Sequence, residues 1–60
     1  MEKWLRINEV ADYLQISKEN VYKLAQRGRI PASKVGGQWR FKRKRIDDWL
    51  EAQEKNSKFN

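Results

Sequence analysis

Among its 60 residues the sequence has no cysteine and no histidine. That removes disulfide staples, Cys/His zinc sites and the commonest general base together, so hydrophobic packing alone must hold the fold. No apolar run approaches the roughly 18 residues of a membrane span, and the opening Met1 to Arg6 lacks the apolar centre of a secretion signal. A cytoplasmic protein with no membrane partner is expected. A chain this short makes one domain at most and buries only about 60% of the surface its unfolded form exposes. Three Trp, two Tyr and two Phe are the means of building a lean core.

What is present is positive charge, and it is concentrated. The chain carries 14 Lys and Arg against 8 Asp and Glu, a net charge of +6. From Gln15 to Arg45 there are ten cationic residues and a single acid, Glu19, whereas both ends are mildly acidic. A pI near 10 suits a polyanion, either nucleic acid or an acidic membrane surface, and composition does not choose between them. Cations gathered onto one short central segment favour nucleic acid.

The pattern along the chain predicts three helices and a hairpin. Asn8 can cap a first helix running to about Leu14, with Glu9 at the positive end of its dipole and Val10, Ala11 and Leu14 on one apolar face. Ile16 is expected to be buried in the turn. Ser17 is a second cap, for a helix from Lys18 to Arg27 whose apolar side is Val21, Leu24 and Ala25. Gly28 supplies a left-handed stop and Pro31 prevents resumption. Only Gln15 and Ile16 separate the first helix from the second cap, the spacing of a helix-turn-helix.

Two strand-like runs, Ser33 to Val35 and Trp39 to Phe41, flank Gly36 and Gly37. A three-residue loop, Gly36-Gly37-Gln38, would pair Val35 with Trp39, segregating Val35, Trp39 and Phe41 from an exposed face shared by Lys34 and Arg40. That register is the expectation. Ile46, Trp49, Leu50 and Gln53 at i, i+3, i+4 and i+7 predict a packing helix from about Arg43 to Glu54, outwardly acidic through Asp47, Asp48, Glu51 and Glu54. The domain is expected to span residues 1–54, with 55–60 a flexible tail.

Helix, tight turn, helix, two-stranded wing and helix, in that order, resembles the winged helix-turn-helix domains of the excisionase and MerR-like family. The likeness lies in Ile7 to Leu14, Ile16-Ser17, Val21 to Leu24, Gly28 to Ala32, Lys34 to Gly37 and Trp39 to Phe41, continued by Ile46 and Trp49-Leu50. It covers about residues 4 to 52. The resemblance implies a mostly α winged helix-turn-helix fold that binds double-stranded DNA, with the second helix in the major groove and the wing on adjacent backbone or minor groove. Ser17 to Lys23 match the start of the family's recognition helix and Lys34 to Arg40 its wing. The long dimerisation helix and effector domain of many MerR-type regulators are not matched here, so the resemblance does not extend to self-contained dimerisation or ligand sensing.

The candidate DNA-binding residues are Ser17, Lys18, Asn20, Tyr22, Lys23, Arg27, Lys34, Arg40 and Lys42. Lys18, Lys23 and Arg27 can neutralise phosphate or reach guanine, and the same residues would otherwise be an ordinary solvated face. Asn20 can bond a base edge or solvent; Tyr22 can reach a phosphate or pack its ring on the wing. Glu19 fits two roles, acceptor from cytosine N4 or complement to the helix dipole. Trp39 and Phe41 are expected in the core. The run Lys42 to Arg45 opposes the dipole of the third helix, which favours a functional reason for it.

Catalysis has little support, because Ser17, Ser33 and Ser57 have no histidine to act as base and Asp47 and Asp48 diverge by about 100° on a helix. No metal, cofactor or small-molecule ligand is expected. Further copies of the chain are candidate partners on DNA. A protein-interaction module whose basic hairpin docks an acidic partner is the competing class. RNA binding stands behind both, since Tyr22 alone is an obvious exposed stacking group.

Overall fold

The first helix begins earlier than its expected cap. Glu9 reaches back three residues, and its Oε1 accepts the backbone N–H of Arg6 at 2.8 Å, so Arg6 occupies the cap position and Asn8 lies within the helix. This pairing satisfies a donor that a cap at Asn8 would have left open. In the computed structural model, which describes residues 3–56, the elements run β1 (Trp4–Leu5), α1 (Ile7–Leu14), α2 (Lys18–Gln26), β2 (Ser33–Val35), β3 (Gln38–Lys42) and α3 (Arg43–Asn56).

Both helices of the helix-turn-helix end in the same hydrogen-bonded motif. At α1 the Ile16 and Gln15 amides donate to Ala11 and Asp12 carbonyls, at 3.0 and 3.3 Å; at α2 the Arg29 and Gly28 amides donate to Leu24 and Ala25, at 2.8 and 3.1 Å. The residue turned left-handed is Gly28 in one case, φ +67°, and Gln15 in the other, φ +61°. Glycine takes that conformation freely, while glutamine does so at a cost. Gln15 recovers part of it by donating from Nε2 to the Asp12 carbonyl at 3.0 Å. The turn this makes leaves Ile16 exposed, contrary to its expected burial. Ser17 caps α2 as expected, accepting the Asn20 amide at 3.1 Å.

The hairpin departs from the expected register. Val35 pairs with Gln38, Lys34 with Trp39 and Ser33 with Arg40, so the loop is the two residues Gly36-Gly37. Both glycines have positive φ, +58° and +80°, which gives a two-residue loop the twist that suits paired strands. Turn geometry thus overrides side-chain segregation. Val35 is left 58% exposed, and Lys34 and Arg40 lie on opposite faces rather than together.

Trp4–Leu5 adds a third strand to the wing, antiparallel to β3, giving the order β1-β3-β2. Strand alternation then assigns Leu5, Lys34, Trp39 and Phe41 to the inner face, and Trp4, Ser33, Val35, Gln38, Arg40 and Lys42 to the outer one.

The core is Val10 and Ala11 of α1, Val21 and Ala25 of α2, Ile30 of the connection, Phe41 of β3 and Ile46 of α3. Full burial of Phe41, Ile46, Val10 and Val21 contributes about 1.5 to 3 kcal/mol each. Leu24, Trp39 and Trp49 pack around it half-buried. Helix α3 begins where expected and runs two residues past Glu54; residues 57–60 of the expected tail lie outside the described residues. Its Trp49 is anchored by Nε1, which donates to the Arg29 carbonyl at 2.8 Å and ties α3 to the exit of α2.

Candidate nucleic-acid interface

Burial of Val21 and Ala25 fixes which side of α2 faces solvent. Lys18, Glu19, Asn20, Tyr22, Lys23, Gln26 and Arg27 are all exposed. That surface divides into two flanks meeting at Lys23. On one flank Lys18, Glu19, Tyr22 and Lys23, with Ile7 from the start of α1, surround a shallow depression of about 320 Å³. On the other, Asn20, Lys23, Leu24 and Arg27 join Ile16 and Arg29 around a second of about 290 Å³. Ser17 is beside neither, and its hydroxyl is engaged as the cap of α2.

A third basic surface lies on the outer face of the sheet. There Arg40, Lys42 and Arg45 line a cup of about 120 Å³ with Trp4, Ser33, Pro31 and Ala32. The Lys42 ammonium sits 4.9 Å from the centre of the Trp4 ring, a cation–π contact that holds it in place. Arg40 turns one guanidinium nitrogen back to the Trp39 carbonyl at 3.4 Å. Lys34 stands apart from this group: on the inner face its ammonium lies 5.3 Å from the Trp39 ring centre.

Among the described residues no carboxylate pairs with Lys18, Lys23, Arg27, Lys34, Arg40 or Lys42. Their charge is available to a ligand. Arg43, from the same basic run, is committed elsewhere. Its guanidinium lies 4.7 Å from the Tyr13 ring centre and its Nε 4.0 Å from Asp47, whose Oδ1 accepts the Tyr13 hydroxyl. Tyr13 holds Arg43 above its ordinary pKa, opposed by desolvation and aided more weakly by Asp47. This arrangement joins α1 to the first turn of α3 and shows what one cation of the run does at the unfavourable end of a helix dipole.

Seven of the nine candidate residues therefore fall into three groups, the two flanks of α2 and the outer sheet face, while Ser17 and Lys34 belong to none of them. Arg29 and Trp4 are not among the expected residues, and Arg45 is expected only as part of the run Lys42 to Arg45. Arg29 directly follows the Gly28 stop and could have been placed beside Arg27 from that alone. Trp4 becomes visible only once β1 is known to pair with β3.

The sequence profile described as helix-turn-helix domain matches residues 4–54. Two curated relatives, each named "Putative DNA-binding protein", come from Mycobacterium tuberculosis strains CDC 1551 / Oshkosh and ATCC 25618 / H37Rv. Each is 40% identical over 47 residues, 78% of this chain and 60% of the relative. The chain thus spans about three-fifths of the length of the curated relatives it matches. No solved structure matches.

Proposed function

The chain belongs to the helix-turn-helix domain family, and from that premise we propose that it binds double-stranded DNA sequence-specifically, as an excisionase-like factor or a transcriptional regulator. The observation that carries this reading is the exposed face of α2, where Lys18, Lys23 and Arg27 flank Asn20 and Tyr22 with no carboxylate partner among the described residues. The names of the two relatives agree with it.

In this reading α2 enters the major groove and its N-terminal half meets base edges. Ser17 acts indirectly, by fixing the first turn. The outer sheet face grips backbone through Arg40 and Lys42, and Lys34 adds a contact from the opposite side of the hairpin. Phosphate contacts set affinity and orientation, while residues 18 to 23 supply discrimination between sites. The role is one of binding, without a catalytic step.

Duplex titration at several salt concentrations tests the electrostatic basis. Six phosphate contacts, by Lys18, Lys23, Arg27, Lys34, Arg40 and Lys42, predict that log K falls with log salt at a slope of about −5. A slope near zero would overturn the reading, and no duplex shift at micromolar protein would favour the acidic-partner alternative. Selection from random duplexes then reports assembly: an inverted repeat, a direct repeat or a single half-site each implies a different arrangement of copies.

A further inference from the structure

The depression beside Tyr22 is out of character with its surroundings. It lies on the basic face of α2, yet the wall that Ile7, Lys18, Glu19, Tyr22 and Lys23 form is mostly apolar. Tyr22 remains 43% exposed there and belongs neither to the core nor to the residues packed against it. An apolar hollow ringed by charge calls for an apolar group that arrives on a polyanion.

Base edges in the major groove offer hydrogen-bond donors and acceptors and, in unmodified DNA, one apolar substituent, the 5-methyl group of thymine. We propose that this depression receives a thymine 5-methyl group, so that the domain reads one thymine by apolar contact. The inference rests on the major-groove placement of α2 given above. Lys18, Lys23 and Glu19 line the same depression; with a base seated there, the two lysines would meet flanking phosphates and Glu19 would accept from the amino group of a neighbouring adenine or cytosine. Charge complementarity at the rim and carbon at the floor thus describe one occupant, a methylated base edge within a duplex.

The test starts from the duplex preferred in selection, with each thymine replaced in turn by deoxyuridine, which removes only the methyl group. Affinities are measured by fluorescence anisotropy at one salt concentration. One thymine in each bound site is expected to show about a fourfold loss, the worth of one buried methyl. Tyr22→Ala should bind the thymine and deoxyuridine duplexes equally at that position, while Tyr22→Phe keeps the ring and the preference. Circular dichroism checks that both variants remain helical. Salt-sensitive binding without any deoxyuridine effect would overturn this inference and leave the DNA-binding reading standing. So would a preferred site without thymine, or a thymine preference undiminished in Tyr22→Ala. Absence of salt-sensitive duplex binding would overturn both.

Discussion

Helix α2 and the outer face of the sheet both present cations with no carboxylate partner among the described residues, but they hold them differently. Lys18 and Lys23 on α2 and Arg27 at its C-cap are exposed among Glu19, Asn20 and Tyr22, a chemically mixed surface. Arg40 and Lys42 are half-buried, one turned to a backbone carbonyl and the other resting on Trp4. Cations already ordered lose less side-chain entropy on meeting phosphate, and a lysine free in solvent can lose up to about 2 kcal/mol of it. Under the proposed function, this difference would let the sheet grip any backbone and leave α2 to choose among base sequences.

The largest perturbation should abolish the contrast altogether. Phe41→Ala, at a fully buried position shared by the sheet and the helices, is expected to cost about 3 to 5 kcal/mol, and thermal melting should show a chain mostly unfolded at room temperature. Next, two double variants should separate the surfaces. Replacing Lys18 and Lys23 by alanine is expected to reduce discrimination between selected and random duplexes by about 1 to 3 kcal/mol. Replacing Arg40 and Lys42 should weaken both duplexes alike and lower the salt slope by about 2. Equal behaviour of the two pairs would erase the proposed division of labour.

Gly37→Ala should sharpen the comparison from the side of the turn. Space for a methyl exists there, so the expected loss, about 1 to 2 kcal/mol in a thermal melt, comes from the positive φ of +80°. Smallest of all, Trp4→Ala should remove the seat of Lys42 for about 0.5 to 1 kcal/mol of phosphate affinity, leaving site discrimination intact in competition binding.

The helix-turn-helix was legible because periodicity, the Ser17 cap and the Gly28 stop agreed about α2. The start of α1 was less so, since Asn8 and Glu9 both favour a beginning and only the reach of Glu9 to Arg6 decides between caps. Ile16 was misplaced because glutamine carries no signal for the left-handed turn that Gln15 makes. In the hairpin, grouping apolar residues predicted a three-residue loop, but two adjacent glycines admit the tighter turn. The backbone preference prevailed, and exposure of Val35 is its cost. β1 has two residues and no period to detect. The charge concentration was plain in the sequence; its division into three surfaces depended on pairings that only the fold supplies.

The resting place of Lys42 on Trp4 also turns that indole into an optical gauge. A phosphate meeting the seated ammonium would alter the field at the ring, so the emission of Trp4 should respond when the sheet face is occupied. Trp39 lies beneath the wing and Trp49 is bonded at the exit of α2, so the three indoles occupy three separate seams of one small chain. Retaining Trp4 while replacing the other two with phenylalanine would let a ligand's arrival at one surface be timed without attaching any dye.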